Sequence, residues 1–425
     1  MSNEKALLHP SGRSVDSMNA ALSRFTSRSV FFIVVTEFGM ALAFNIVMAF
    51  MPFYILKVSA YGPRETILWT GAIMGASAVF AAMTSTFWGG MTARFSPKLL
   101  FLRAIVGCGI VYLLMGFTEN LHLLLVLRVL QGCLGGVSTI ALILISNLAP
   151  KERLTRDISL FQNTITAGNL IGPPIGAYIA TRVNYQAPFV FGAALIAVVA
   201  VFCWWNVPDI PLQKRKTRAT GQKRSGILSG WALCMAAVFN LTFLPSILPQ
   251  VLREFDLVGK DAVNAAGFIM MAYSIAAIAG NFVISALAGR TGLRKAIAMA
   301  CLGGAFCQAL LYVVPGVWSF TLVRMAQVFF IAAVLPMTIS VFARSAGGGE
   351  IGFLNSARFA GNAMGPLLAT SVLAYSNLLV LYLGIAGMTV AMFFNFLRVV
   401  NPQNGPPDVP RDGRKSERES ASTLR

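Results

Sequence analysis

Twelve apolar runs, each about 20 residues long, follow one another along this chain of 425 residues. A helix needs roughly 20 apolar residues to cross a hydrocarbon core about 30 Å thick. The pattern therefore predicts an all-α membrane protein with 12 transmembrane helices. The predicted spans, numbered 1 to 12, cover residues 30–56, 66–88, 99–117, 121–145, 157–181, 187–206, 228–251, 263–288, 295–314, 317–342, 353–376 and 378–398.

The positions of the basic residues indicate an orientation. A formal net charge of +18 could indicate either nucleic-acid binding or the orientation of a membrane protein, and the positions of the Lys and Arg residues distinguish these two interpretations. Twelve spans place both termini on one side, and 25 of the 34 Lys and Arg residues fall in the termini and loops of that side, against five on the other. This positive-inside bias predicts cytoplasmic termini. We expect a multi-pass protein of the cytoplasmic (inner) membrane, in contact with the lipid bilayer and without a nucleic-acid partner.

Two halves of the chain repeat each other. The segment "RVLQG", which begins at Arg128, is repeated as "RMAQV", which begins at Arg324. The segment "AGNLIGPP", which ends at Pro174, is repeated as "AGNAMGPL", which ends at Leu367. Such repeats predict two six-helix bundles. The expected organisation is an N-terminal cytoplasmic segment (1–29), a first bundle (30–206), a basic cytoplasmic linker (207–227), a second bundle (228–398) and a disordered cytoplasmic tail (399–425).

Four motifs together resemble the major facilitator superfamily: "FMPFY", "FWGGMTARFSPK", "RVLQGCLGG" and "GNLIGPPIGA". Within that superfamily the chain is similar to bacterial drug:proton antiporters of the multidrug-resistance type, over about residues 30–400. The resemblance implies a secondary active transporter that works by alternating access. It implies proton-coupled export of small amphipathic molecules by a monomeric unit, with the proton gradient as energy source, no cofactor and no metal.

Glu37 is the one acid of the 16 in the chain that lies well inside a predicted span. It shares a helix face with Asn45, which indicates a polar face toward a water-filled cavity. Burial disfavours the charged form of a carboxyl group, so Glu37 is a candidate for reversible protonation. The alternative is a structural role, in which Glu37 pairs with an arginine of another helix.

Arg128 is the predicted partner of Glu37, because the matching arginine of the resembled family is implicated in proton translocation. The alternative is an arginine that hydrogen-bonds buried carbonyl groups. Further candidates for the cavity are polar residues within spans, although each is more commonly an interhelical hydrogen bond than a ligand contact. They are Asn45, Gln131, Gln162, Asn163, Asn240, Gln250, Tyr273, Arg324, Gln327 and Asn362. Arg358 is expected at the inner gate or a lipid phosphate, without a transport role.

Glycines four residues apart precede and follow a pair of prolines in span 5. The spacing predicts a smooth strip that a neighbouring helix approaches closely, and the prolines predict a bend. We expect a dry hinge between the two halves, repeated in weaker form in span 11. The residues concerned are Gly168, Gly172, Pro173, Pro174 and Gly176, with Gly361, Gly365 and Pro366 as the second copy.

Two loops resemble the family's cytoplasmic gating loop, whose pattern is G-x-L-A-D-R-x-G-R-[RK]. The matching residues are Gly89, Arg94 and Lys98 in the first copy and Arg290, Gly292 and Arg294 in the second. The acid of the pattern is replaced by Ala93 and Gly289. Either Arg94 holds the gate with Glu152 or Asp157, or the outward-open state is less favoured.

Other functions remain open at this point. An importer or permease for a small metabolite, metal ion or metal chelate is the main alternative, and a non-transporting scaffold or sensor is another. An enzyme is not expected, because His9 and His122 both lie outside the membrane core and no second acid is embedded with Glu37.

Overall fold

The computed structural model describes residues 12–92, 94–148, 154–209, 224–342 and 348–400, and these contain helices and no strands. The helices are α1 (Gly12–Met48), α2 (Met51–Val58), α3 (Pro63–Met91), α4 (Pro97–Gly116), α5 (Leu121–Leu134), α6 (Val137–Leu148), α7 (Leu154–Arg182), α8 (Ala187–Asn206), α9 (Arg224–Thr242), α10 (Leu244–Arg253), α11 (Gly259–Thr291), α12 (Leu293–Leu310), α13 (Val317–Ala332), α14 (Val334–Phe342), α15 (Gly348–Tyr375) and α16 (Leu378–Val399).

Sixteen helices form the predicted spans because spans 1, 4, 7 and 10 are each broken into two. In span 7, Pro245 has no amide hydrogen for the carbonyl of Leu241, four residues earlier, and the chain breaks between α9 and α10. In span 4, Gly136 takes a left-handed conformation (φ 95°) between α5 and α6. Within the described ranges, ten segments are long and apolar enough to cross a membrane. The predicted spans 5 and 11, now α7 and α15, carry the glycines, prolines and amides that lower mean hydropathy.

The boundaries differ from the prediction mainly at the start. Helix α1 begins at Gly12, well before residue 30, because no glycine or proline interrupts the chain between Gly12 and Gly39. Most of the predicted linker, at 210–223, and the tail after residue 400 lie outside the described residues. The proposed domain limits at those two places stay predictions.

The two halves meet through a pair of equivalent helix contacts, α3 against α15 and α7 against α11. A Cβ atom added to Gly71 of α3 would lie 3.0 Å from the carbonyl oxygen of Pro366. A Cβ atom added to Gly267 of α11 would lie 3.2 Å from the carbonyl oxygen of Pro173. Glycine on one half therefore lets a proline-containing helix of the other half approach closely.

The glycine strip of α7 packs inside its own half, which corrects the prediction that it lies between the halves. A Cβ atom at Gly172 would lie 2.5 Å from Cβ of Asn45, and Gly168 and Gly176 likewise face α1. In the second half, Gly361 and Gly365 face Val238 and Thr242 of α9. The glycine strip thus faces α1, whereas the carbonyl of Pro173 on the same helix faces Gly267 of the other half.

Both prolines of α7 sit within one continuous helix. Pro173 has no amide hydrogen for the carbonyl of Asn169, four residues earlier. The hydroxyl of Ser274, from α11 of the other half, donates to the carbonyl of Met270 at 2.7 Å, and its oxygen lies 3.4 Å from the carbonyl oxygen of Asn169. The amide oxygen of Asn169 accepts from Asn45 Nδ2 at 2.7 Å.

We call the end of the bundle at which α1 begins and α16 ends the terminal face, and the other end the opposite face. The halves are joined near the opposite face, where Thr181 donates to Asn264 at 3.1 Å and the Arg64 guanidinium lies 3.9 Å from the Tyr375 ring centroid. Nearer the middle of the spans, Phe44 and Asn169 are exposed. A cleft between the halves therefore reaches the middle of the bundle from the terminal face.

Candidate functional site

Glu37 lies at the centre of the candidate site, on the face of α1 that meets the start of α6. Its side chain is 3% exposed, and Oε1 accepts a hydrogen bond from the hydroxyl of Ser138. Oε2 has no hydrogen-bond partner among the described residues. Ser138 is the second residue of α6, and the positive end of a helix dipole favours a nearby carboxylate. The break in span 4 thus brings a helix start and a hydroxyl to a buried acid.

Arg358 faces this acid from the other half of the molecule. It projects from α15, donates to Gln162 Oε1 of α7 at 3.2 Å and acts electrostatically on Glu37. The sequence predicted Arg358 at the inner gate or a lipid phosphate, and its bond to Gln162 of the other half agrees with the gate rather than the lipid. Gln162, Arg358 and Glu37 form a polar cluster that spans the cleft.

Arg128 does not direct its guanidinium group at Glu37, which corrects the predicted pairing. It is fully buried, and it donates to the carbonyls of Ile73 at 2.9 Å and Met74 at 3.1 Å, and to Gln131 at 2.7 Å. These bonds occupy the guanidinium within the first half. Arg128 therefore takes the alternative role that its sequence context allowed, as a donor to buried carbonyls.

Arg324 has an equivalent environment in the second half. It donates to the carbonyls of Asn240 at 3.0 Å and Leu241 at 3.3 Å, and to Gln327 at 2.6 Å. Gln327 donates to Asn240 Oδ1 at 2.9 Å, and Asn240 donates to Thr389 at 2.8 Å. Asn240, Arg324 and Gln327 are fully buried, so these predicted cavity residues are internal supports of the broken span 7.

The other predicted cavity residues lie in several places. Asn45 bonds Asn169 in the cleft, and the Tyr273 ring centroid lies 5.1 Å from the guanidinium carbon of Arg324. Asn163 is exposed in a groove of about 300 Å³ between α1 and α7. The carbonyl oxygen of the Gln250 side chain is buried without a partner in the described part of the chain, and Asn362 is half-buried.

The predicted gating loops lie at the terminal face. Arg94, Arg290, Gly292 and Arg294 are exposed, and Gly292 takes a left-handed conformation (φ 91°) between α11 and α12. Lys98 donates to the carbonyl of Trp204 at 2.7 Å. Ala93 and Glu152 lie outside the described residues, and the surroundings of Gly89 are not described. The gating role of these loops stays a prediction.

Sequence reasoning missed Ser138. It carries a hydroxyl in an apolar span, and that pattern alone does not distinguish it from a serine bonded to its own helix. For Ser138 a local signal existed, because the preceding Gly135 and Gly136 can end a helix and a serine commonly starts the next one.

A family model decides the identity of this arrangement. The model described as Major Facilitator Superfamily matches residues 33–257 and again 230–424, one match for each half. The chain belongs to the major facilitator superfamily. It is therefore a multi-pass membrane transporter and not an enzyme, as the sequence motifs predicted.

Curated relatives of this transporter include proteins named multidrug resistance protein MdtG. The protein from Salmonella paratyphi A is 25% identical over 344 residues, covering 78% of this chain and 85% of the relative. The protein from Klebsiella pneumoniae (strain 342) is 26% identical over 365 residues, covering 82% and 87%.

Solved structures with the same fold include the human organic anion transporter MFSD10 (TETRAN), with a TM-score of 0.69 and 16% identity over 87% of this chain and 99% of that one. A bacterial homolog of the human lysosomal transporter Spinster, in an inward-facing and occupied conformation, has a TM-score of 0.71 and 14% identity over 90% and 99%. At these identities the comparison shows the fold alone, and it confirms the two six-helix halves.

Proposed function

We propose that the protein exports small amphipathic molecules in exchange for protons. Glu37 carries this proposal, because it is a buried carboxyl group with one unpartnered oxygen at the cleft between the halves. The names of the MdtG relatives support efflux. The transporter then acts as a monomer in the cytoplasmic membrane, with the terminal face in the cytoplasm and the proton gradient as its energy source.

The coupling follows from what protonation changes across the cleft. An ionised Glu37 accepts from Ser138 and attracts Arg358 of the other half, whereas a protonated Glu37 loses that attraction. In a low-dielectric interior this difference is large enough to shift a balance between two arrangements of the halves. Substrate that enters the cleft from the cytoplasm favours loss of the proton, and re-protonation from the other side resets the transporter.

Flux measurements in inverted membrane vesicles test this function. Vesicles energised with an inward-acid proton gradient are given ethidium and tetraphenylphosphonium as lipophilic cations, and a ferric-hydroxamate chelate as a further probe. Gradient-dependent accumulation of a probe, lost on collapse of the gradient and in Glu37→Gln, is the expected result. Transport that ignores both the gradient and Glu37→Gln contradicts proton coupling, and uptake confined to right-side-out vesicles indicates an importer.

The orientation has a separate test. Gly62 and Thr291 are exposed at opposite ends of the bundle, and a Cβ atom at Gly62 meets no atom within 4 Å. In a background without the six native cysteines, Gly62→Cys should react with an impermeant thiol reagent in intact cells. Thr291→Cys should react only after the cells are opened, and the reverse pattern contradicts a cytoplasmic terminal face.

A further inference from the structure

The break in span 4 leaves carbonyl groups without helical partners in the middle of the membrane. Helix α5 ends at Leu134, and α6 runs for 12 residues to the terminal face, which places the break about 18 Å from that end of the span. The last carbonyls of a helix lack backbone donors, and water is absent from the bilayer core to replace them. The break therefore needs side-chain donors.

Two side chains supply those donors. Trp88 Nε1 donates to the carbonyl of Cys133 at 2.8 Å. Arg103 Nη2 donates to the carbonyls of Leu134 at 3.1 Å and Gly135 at 3.2 Å. Three consecutive carbonyls at the end of α5 are thus satisfied from α3 and α4, and the carbonyl before them, that of Gly132, accepts from the backbone N–H of Gly135 at 3.2 Å. We call Trp88 and Arg103 the carbonyl cap.

The carbonyl cap is itself packed as a unit. The guanidinium carbon of Arg103 lies 3.4 Å from the ring centroid of Trp88, and a Cβ atom at Gly136 would lie 3.3 Å from Cβ of Trp88. A planar guanidinium stacked on an indole has little freedom to move. The stack therefore fixes where α5 ends and where α6 begins.

The equivalent break in the second half is built without such a cap. The residues 196 positions after Trp88 and Arg103 are Ile284 and Met299, which have no polar hydrogen to donate. There α14 begins at Val334 with Pro336 as its third residue, and Ala333 between α13 and α14 has an ordinary right-handed backbone (φ −80°). Within the described residues, a capped break and an acid at the start of the new helix, Glu37, occur together in the first half and not in the second.

We propose that Arg103 and Trp88 are positioning residues for proton coupling: by capping the end of α5 they hold the start of α6, and with it Ser138, against Glu37. This inference rests on the proposed function of Glu37. Arg103 and Trp88 bond the backbone of α5 and do not bond Glu37. They act through the place at which Ser138 meets the carboxylate.

Few other charged or titratable groups act on Glu37 in the described part of the chain. Arg358 of α15 and Cys108 of α4 are the titratable groups that interact electrostatically with Glu37 in the described part of the chain. Helix α8 carries no Asp, Glu, Lys or Arg, and α7 carries none between residues 158 and 181. The stabilisation of an ionised Glu37 thus depends on Ser138, the start of α6 and Arg358.

The test compares pH profiles of ethidium-induced proton release by purified protein in nanodiscs. Arg103→Met introduces the residue that the second half has at this position, and Trp88→Phe keeps the ring but removes its N–H. We expect both variants to move the pH of half-maximal release upward, by roughly one pH unit for Arg103→Met, because a carboxylate that loses a hydrogen bond is protonated more readily. Arg103→Lys restores a donor and should move the midpoint less.

Arg398→Met is the matched control, since Arg398 is exposed at the end of α16. If the variants yield less folded protein but keep the wild-type pH midpoint, the proposal is overturned and the carbonyl cap has a purely structural role. If Arg103→Met does not fold, the pH midpoints of Trp88→Phe and Ser138→Ala test the proposal. Ser138→Ala should also move the midpoint upward. If the wild type releases no protons, the proposed function is overturned. If release requires Glu37 but its pH midpoint is unchanged in the Arg103 and Trp88 variants, only this inference is overturned.

Discussion

The two halves contain the same arginine–glutamine pair, but the polar groups around the pair differ. Arg128 with Gln131 and Arg324 with Gln327 are both buried, and both arginines donate to backbone carbonyls of a neighbouring helix. In the second half the network closes through Asn240 and Thr389 without any acid. In the first half the buried acid Glu37 sits apart from the arginine, at a capped helix break. Under the proposed function, the first half therefore supplies the proton site and the second half supplies support.

The breaks in spans 7 and 4 are stabilised by different donors. In span 7, Pro245 removes a donor, and Arg324 itself occupies the freed carbonyl of Leu241. In span 4, Gly136 creates the break, and the donors come from the carbonyl cap, so that Arg128 is not needed there. In span 4 the start of α6 therefore remains available to Glu37, which it contacts through Ser138.

The largest effect is expected where helices of one half touch most closely. Gly172→Leu forces side-chain atoms into Asn45 of α1, and overpacking of this kind costs about 1–3 kcal/mol or more. We expect little folded, inserted protein, measured by size-exclusion profile and thermal unfolding in detergent. Gly387→Leu is the control, because a Cβ atom at Gly387 meets nothing within 4 Å. A fully stable but inactive Gly172→Leu variant would instead support the original hinge between the halves.

The arginine pair tests the comparison directly. Arg128→Met and Arg324→Met each leave buried carbonyls without donors, at roughly 1–3 kcal/mol for each group. We expect both variants to lose thermal stability while the folded fraction keeps its ratio of protons released to ethidium transported. An Arg128→Met variant that keeps its stability and loses that ratio would restore the coupling role predicted from the sequence.

Exchanging the residues at the two breaks should have unequal consequences. Gly136→Ala places a side chain in a left-handed conformation and against Trp88, at a cost of about 1–2 kcal/mol. The reciprocal Ala332→Gly costs only about 1 kcal/mol of helix propensity. Thermal unfolding and the pH midpoint of proton release measure both, and only Gly136→Ala should shift the midpoint. Equal shifts would remove the distinction between the two breaks.

The smallest change in stability is expected from single hydroxyl groups. Ser138→Ala deletes the hydrogen bond to Glu37, and Thr389→Val deletes the bonds to Asn240 and to the carbonyl of Ile385, each worth about 1 kcal/mol. Small losses of thermal stability are expected, but only Ser138→Ala should alter the pH dependence of ethidium transport. An altered pH dependence in Thr389→Val would place proton chemistry in the second half as well.

The fold could be predicted from the sequence because its signals are local. Apolar length gave the spans, repeated motifs gave the two halves, and the family assignment was confirmed. The breaks within spans 1, 4, 7 and 10 were not predicted, since hydropathy is averaged over about 20 residues and does not register a two-residue interruption.

The candidate site was only partly predictable. Glu37 was found because a lone acid in an apolar span is costly, which is a property of one residue. Its partners Ser138 and Arg358 depend on which faces of α1, α6 and α15 meet, and a list of spans does not contain that information. Arg128 was assigned to the wrong partner for the same reason.

The most direct test of the account is proton release from Glu37. Purified protein in weakly buffered nanodiscs is given ethidium, and the pH of the solution is recorded with a soluble indicator. The wild type and Glu65→Gln, a change at an exposed acid at the start of α3, should release protons on binding, and Glu37→Gln should bind ethidium without releasing any. Proton release of the wild-type size from Glu37→Gln would contradict the assignment of the coupling site to the first half.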